Sequence, residues 1–181
     1  MLIILDRDGV INEDSDEYIK SPNEWHAIPG SLEAIVKLNN WGAKVVVVTN
    51  QSGIGRCLFT EQTLAEIHAK MNRELDKLDG HLDGIYICPH HPDELCNCRK
   101  PETGLLEKVK SIYPDLFKSA VFIGDTIKEV QAANKAGCHA ALVKTGKGER
   151  TIAQNPELKS KTPIYQNLSD AVSTILKETK P

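Results

Sequence analysis

Two aspartates separated by one residue, at the end of a short apolar run, are the part of this chain best suited to chemistry. In Ile3-Ile4-Leu5-Asp6-Arg7-Asp8-Gly9-Val10 the apolar residues read as a buried strand. Alternation along an extended chain puts Asp6 and Asp8 on one side as it leaves the sheet, and Gly9 frees the backbone to turn. Carboxylates held that close need a cation between them, or one must take up a proton. The pattern points to a metal-assisted site with one carboxylate available for covalent or acid–base work. An ordinary polar turn is the competing reading, because Asp and Gly are common turn residues.

Three further segments of the same kind favour chemistry. Val48-Thr49-Asn50-Gln51-Ser52-Gly53 ends a second apolar run in a hydroxyl, amides and a turn, which are donors for phosphate oxygens. Phe122-Ile123-Gly124-Asp125-Thr126 brings a third carboxylate to a strand end. Asp125 either completes a cation site with Asp6 and Asp8 or caps the helix that follows. Oxygen donors of this sort suit Mg²⁺. Arg99-Lys100-Pro101 sets a guanidinium fork beside an ammonium, the pairing that phosphate recognition uses; a solvated basic pair is the bland alternative.

Just before it lies Cys88-Pro89-His90-His91-Pro92-Asp93-Glu94-Leu95-Cys96-Asn97-Cys98. Cys88, His90, Cys96 and Cys98 make the three-thiolate, one-imidazole set of a closed tetrahedral zinc site, with His91 an alternative to His90. Four protein ligands leave no open position for water. The expected job of the zinc is therefore structural, pinning a loop of about residues 88–98 so that Arg99 and Lys100 stand over the active site. Cys57 and Cys138 read as ordinary thiols, Cys138 buried.

The elements that must position these groups alternate along the chain. Apolar runs rich in Val and Ile at 2–5, 44–48, 84–88, 120–123 and 140–143 lack strict alternation, as strands covered on both faces do. Between them lie helical patterns. Ser31 is the expected N-cap of 32–41, closed by Gly42; Thr60 caps a long helix through 78; and 104–112, 128–136 and 168–176 follow. The expectation is an α/β fold, a doubly wound parallel sheet with short loop insertions and no separate cap domain. Residues 145–163 read as a polar connection.

Bulk properties set the outer limits. The 181 residues read as a single domain, large enough to bury a core, with 40% hydrophobic and 26% charged residues. A net charge of −3 gives no electrostatic footprint for nucleic acid, and no apolar run approaches the ~20 residues that cross a bilayer. With a strand at the start and no leader pattern, the expected setting is the cytoplasm, where five cysteines serve as metal ligands or thiols rather than disulfides.

Asp6-Arg7-Asp8-Gly9, Thr49-Asn50-Gln51-Ser52-Gly53, Cys98-Arg99-Lys100-Pro101 and Gly124-Asp125, in that order, resemble the haloacid dehalogenase-like (HAD) phosphatases. The Cys/His loop followed by Arg-Lys-Pro is similar to the heptose and histidinol phosphatases within them, and Asp6 to Asn12 with residues 50–56 resembles the heptose branch. The resemblance implies a Mg²⁺-dependent phosphatase acting on a small sugar bisphosphate, on the route to activated heptose for lipopolysaccharide; nothing in the chain demands more than a monomer. It implies Asp6 as nucleophile and Asp8 as general acid and base. Mg²⁺ would be held by the Asp6 carboxylate, the Asp8 backbone carbonyl and Asp125. It implies Thr49 and Lys100 stabilising the transferring phosphoryl group, and Arg99, Asp14, Ser15, Asn50, Gln51 and Ser52 contacting substrate. Two positions depart from the pattern: Glu129 stands where an acid follows Asp125 by four, and Thr126 where a lysine is common. The alternatives are a histidinol-phosphate phosphatase and, from another class, a non-catalytic zinc-pinned binding protein.

Overall fold

Strands made of consecutive Val, Ile and Leu must be covered on both faces, and that requirement organises the fold. The computed structural model describes residues 1–179. Strands β1 (Leu2–Leu5), β2 (Lys44–Asn50), β3 (Gly84–Cys88), β4 (Val121–Gly124), β5 (His139–Val143) and β6 (Ile164–Tyr165) form one parallel sheet in the order β3-β2-β1-β4-β5-β6. Alternate residues of the same strand enter opposite cores. Ile3, Leu5, Val45 and Val47 pack with α1 (Ser31–Asn40), α2 (Glu61–Asp76) and α8 (Leu168–Glu178). Leu2, Ile4, Val46, Val48 and Phe122 pack with α3 (Gly104–Ile112), α4 (Pro114–Phe117) and α5 (Ile127–Ala136). The sheet is doubly wound, and its strand order reverses between β1 and β4, the crevice where open α/β sheets bind ligands.

Where the structure departs from the pattern, tertiary contacts account for it. Strand β2 runs on to Asn50 because Asn50 stays in register with Cys88. Thr60 caps α2 as expected, accepting from the Thr63 N–H, but the helix ends at Asp76, where the chain turns back so that Gly80 N–H reaches Leu75 C=O. Ser31 is not the N-cap of α1. That position is Gly30, at φ +83°, and the Ser31 hydroxyl donates instead to the Ile11 carbonyl at 2.6 Å. A buried carbonyl arriving from another segment takes the hydroxyl that the helix would otherwise use.

The connection 145–163 is also corrected: it holds α6 (Gly148–Gln154) and α7 (Leu158–Lys161), and β6 follows at the sheet edge. Each of these helices offers a single buried aliphatic anchor, Ile152 and Leu158, which close a small cluster with Val130 and Leu142. Helices this short do not stand alone, and one apolar residue apiece leaves no periodicity to read.

Among the described residues no inserted domain stands over the carboxyl edge of the sheet, only loops. Residues 12–29 form one, with a 3₁₀ turn at Pro22–Glu24 and Trp25 fully buried in the first core. Lys70 of α2 secures the loop, donating to the Pro22 and Trp25 carbonyls at 2.9 and 2.7 Å with its ammonium 5.7 Å from the indole centroid. Trp25→Ala should therefore cost about 3–5 kcal/mol of stability, read as a lower midpoint in urea unfolding followed by fluorescence and circular dichroism.

Candidate active site

The carboxyl ends of β1, β2 and β4 open into a cleft of about 220 Å³. Asp6, Asp8, Asp14, Ser15, Thr49, Asn50, Gln51, Ser52, Arg99, Lys100 and Asp125, dispersed over 120 residues of sequence, all line it. Its centre is the Lys100 ammonium, 2% exposed, which lies 2.9 Å from Asp6 Oδ1, 2.9 Å from Glu129 Oε1 and 3.0 Å from the Val48 carbonyl it donates to. Asn50 clamps the backbone there: its amide donates to the Lys100 carbonyl at 3.1 Å and its oxygen accepts the Lys100 N–H at 3.0 Å.

Asp6 and Asp8 are not balanced by one shared cation. Lys100 serves Asp6, while Arg7, itself 1% exposed, folds over Asp8 with Nη2 2.8 and 3.0 Å from the two carboxylate oxygens. Asn12 and Gln51 each donate to Asp8 at 2.9 Å, and Gln51 also donates to the Thr49 hydroxyl at 2.9 Å. Burial opposes ionisation of Asp8, but the Arg7 guanidinium and these amides outweigh it and hold the carboxyl below the usual range.

Asp125 is not the cap of α5. Thr126 fills that place, with the Glu129 carboxylate returning to the Thr126 N–H at 2.9 Å and hydroxyl at 2.6 Å. Asp125 Oδ2 instead accepts the Lys147 N–H at 2.7 Å. Gly9 (φ +80°) and Gly146 (φ +57°) meet beside it, and a Cβ on either would strike the Asp125 carboxylate. The Thr145 hydroxyl, donating to the Gly9 carbonyl at 2.7 Å, ties the two turns together.

Carboxylate oxygens of Asp6, Asp125 and Glu129 lie within 4.8 Å of one another, with one ammonium among them. Burial raises Asp6 to about 6 against the pull of Lys100. Burial, with Asp6 and Glu129 adding, raises Asp125 to about 8. Burial also works against Glu129, but Lys100 and Thr126 hold it ionised, below its ordinary value. Both Glu129 oxygens are committed, to Lys100 and to Thr126. Asp6 Oδ1 takes Lys100 and the Arg7 N–H, and Asp125 Oδ2 takes Lys147. That leaves Asp6 Oδ2 and Asp125 Oδ1 in a pocket short of positive charge, and an all-oxygen set of that kind fits a hard divalent cation such as Mg²⁺.

The Cys/His loop converges as its spacing suggests. Cys88 Sγ lies 3.6 Å from both Cys96 Sγ and His90 Nδ1, Cys98 Sγ 3.4 Å from Cys96 Sγ and 3.2 Å from His90 Nδ1. Metal–sulfur bonds of about 2.3 Å give tetrahedron edges of about 3.8 Å, so the donors fit a four-coordinate ion closely. His91 is elsewhere: its Nδ1 accepts the Asp93 N–H, capping the 3₁₀ turn Pro92–Glu94.

Several cleft residues carried no signal in the sequence. Arg7 sits between two aspartates and reads as a spacer. Lys128 lies in the first turn of α5, and Lys147 immediately before α6. Lys147 also pairs with Asp14 at 3.1 Å and Asp16 at 3.5 Å. Only the contact of the β1 and β5 turns brings it to the cleft.

A doubly wound parallel sheet with an Asp-x-Asp turn after the first strand, a hydroxyl after the second, a buried lysine and an aspartate after β4 defines a hydrolase of the HAD-like class. A HAD-hydrolase-like family model matches residues 97–171. The D-glycero-beta-D-manno-heptose-1,7-bisphosphate 7-phosphatase of Bordetella bronchiseptica is 45% identical over 177 residues, 98% of each chain. Its namesake in Pseudomonas aeruginosa is 43% identical over 175 residues, 97% of each. A crystal structure of D,D-heptose 1,7-bisphosphate phosphatase from B. bronchiseptica, complexed with magnesium and phosphate, matches with a TM-score of 0.95 at 45% identity, over 98% of this chain and 99% of that one. The chain belongs to the D-glycero-beta-D-manno-heptose-1,7-bisphosphate 7-phosphatase family of HAD-like hydrolases.

The raised carboxyls predict a pH dependence. Asp6 and Asp125 have values near 6 and 8 in the folded chain and about 3.9 when unfolded. At these two carboxyls the folded state binds more protons than the unfolded one, so their contribution to stability falls as pH rises from about 4 to 8, offset in part below about 6.5 by His68, which burial lowers to about 4. Thermal unfolding of the metal-free protein should give a lower midpoint at pH 8 than at pH 5, and Mg²⁺ should raise the midpoint more at pH 8. A Mg²⁺ effect independent of pH would contradict the carboxylate cluster as its site.

Proposed function

We propose that this chain hydrolyses the 7-phosphate of D-glycero-β-D-manno-heptose 1,7-bisphosphate through an aspartyl-phosphate on Asp6. The observation that carries this reading is the Asp6 carboxylate itself. It is buried, held on one oxygen by Lys100, left with its other oxygen uncommitted, and open to a cleft that also contains Asp8 and Thr49. The relatives' shared activity supplies the substrate, and their name the β anomer.

Asp6, Asp125 and the Asp8 backbone carbonyl would hold Mg²⁺, which when bound would supply positive charge for the phosphoryl oxygens. Asp6 attacks phosphorus, the P–O bond to the sugar C7 oxygen breaks, and Asp8 delivers a proton to that oxygen. In the second step Asp8, once more a carboxylate, takes a proton from the water that cleaves the acyl phosphate and regenerates Asp6. The Arg7, Asn12 and Gln51 bonds keep Asp8 ionised at rest, which suits the base. An arriving phosphate dianion repels that charge and favours the protonated form needed as acid. Thr49 accepts from Gln51 and so keeps its own O–H for the phosphoryl group. Lys100 neutralises charge at the same centre. Asp14, Ser15, Gln51, Ser52 and Arg99 contact the rest of the substrate, and Asn50 lies against the cleft while fixing the Lys100 backbone.

Cys88, His90, Cys96 and Cys98 would hold a structural zinc, which would fix the segment from which Arg99 and Lys100 project. We assign the protein to the cytoplasm, acting as a monomer: no disulfide joins its cysteines among the described residues, which suits a reducing compartment. No helix among the described residues is long and apolar enough to cross a membrane.

Phosphate release from the β and α anomers of the heptose bisphosphate and from histidinol phosphate, with and without Mg²⁺, tests the assignment. Mg²⁺-dependent preference for the β-heptose substrate is expected, and a preference for histidinol phosphate would overturn it. Asp6→Asn should lower kcat by at least about 10⁴-fold, as loss of a catalytic nucleophile does, while circular dichroism stays native. Cys96→Ser should lower the zinc content measured by atomic absorption and reduce kcat/KM. Normal activity without zinc would remove the pinning role.

A further inference from the structure

Asp8 has two tasks in turn, giving a proton to the leaving oxygen and taking one from water, and both need its carboxyl held in a fixed direction. Arg7 sets that direction. Its side chain is 1% exposed and grips both Asp8 oxygens through Nη2, at 2.8 and 3.0 Å, with Nε 3.2 Å from Oδ1. A guanidinium is rigid and planar, so a contact that fixes its remaining edge fixes Asp8 as well.

That edge meets His68 of α2. Arg7 Nη1 lies 3.2 Å from His68 Nε2. A guanidinium has no acceptor, so Nε2 accepts and the imidazole proton sits on Nδ1. Burial, then the charge of Arg7, lowers His68 to about 4, which keeps the ring neutral and able to accept. An acid at this place would draw Arg7 away from Asp8, whereas a neutral ring takes its N–H without cancelling its charge. His68 is not among the residues that line the cleft. It is carried on a helix anchored in the first core by its neighbours Ile67 and Met71.

Among the described residues Nη1 makes its hydrogen bond to His68 alone, while Nη2 also reaches Gln51 Oε1 at 3.3 Å. A buried N–H deprived of its acceptor is costly. Without His68 the guanidinium would turn toward another oxygen and slacken its hold on Asp8. From this chain of contacts we infer that His68 is a positioning residue for the hydrolysis: acting through Arg7, it keeps Asp8 aimed at the leaving oxygen. The inference rests on the reading of Asp8 as acid and base and deepens it.

The test compares two leaving groups. In a two-step hydrolysis kcat/KM reports only the steps up to departure of the alcohol. A sugar alkoxide needs the Asp8 proton as it leaves, and the phenolate of p-nitrophenyl phosphate does not. His68→Leu should lose about tenfold more kcat/KM on the heptose bisphosphate than on the aryl ester, part of the roughly 10²–10⁴-fold that a general acid contributes. His68→Gln, whose amide oxygen can accept from Nη1, should recover most of that difference, and Asp8→Asn should show it in full. A general loss of structure would lower both esters alike. Equal losses on the two esters, or a difference as large in His68→Gln as in His68→Leu, overturn the inference. Should the wild type be inactive on the heptose ester, or Asp8→Asn lose equally on both esters, the reading of the substrate or of Asp8 fails separately. Crystal structures of the wild type and His68→Leu then decide: Arg7 displaced from Asp8 supports the positioning role, and an unmoved Arg7 overturns it.

Discussion

Three carboxylates, Asp6, Asp125 and Glu129, are driven to one buried edge of the sheet, and a single ammonium, Lys100, is inserted among them. Isolated buried charges of this kind are too costly to persist, so every neighbouring feature acts to distribute or satisfy them. Thr126 takes one oxygen of Glu129, the Lys147 N–H takes one of Asp125, and the Val48 carbonyl takes a third proton of Lys100. One oxygen on Asp6 and one on Asp125 are left over, and with them the unbalanced charge that suits Mg²⁺. The same shortage of cations that raises Asp6 and Asp125 leaves two carboxylate oxygens placed to fit a hard divalent cation.

Lys100 depends in turn on a loop with little core of its own. The chain after β2 and the chain after β3 are laced together, with Gln51 N–H donating to the Cys88 carbonyl at 2.7 Å and Gly55 N–H to the Pro89 carbonyl at 2.9 Å. Gly55 packs so tightly on the His90–His91 backbone that a Cβ would collide with it. Asn50 adds its two bonds to Lys100, and the Cys/His cluster closes the loop on the far side. The tip of this loop carries no apolar packing, with Leu95 90% exposed, and the four donors at its base fit a four-coordinate ion.

The opposite wall is held by glycines and backbone groups. Gly9 and Gly146 approach closely beside Asp125, and the Lys147 N–H reaches its carboxylate as a result. From there Lys147 and Arg150 extend to Asp14 and Asp16 on the 12–29 loop. Ion pairs exposed in this way contribute little to stability; their consequence is where Asp14 stands relative to the cleft.

Short-range chemistry determined a good deal of this protein in the sequence itself. Unbroken apolar runs, with Asp, Thr or Asp-Thr at their ends, fix both the parallel sheet and the edge where Asp6, Thr49 and Asp125 emerge, because side-chain periodicity and chain direction are local properties. The Cys88–Cys98 spacing likewise brings four candidate metal donors together, though folding was needed to choose His90 over His91, which caps a turn instead. The tertiary structure alone decided which charge answers which. Arg7 rather than a shared cation neutralises Asp8, and Glu129 anchors Lys100 as well as Thr126. Ser31 gives its hydroxyl to Ile11, and Lys147 reaches Asp125 from a stretch whose helices have one buried aliphatic anchor each. Coulomb pairing and capture of hydroxyls depend on distances between segments remote in sequence, and those distances do not exist until both faces of the sheet are covered.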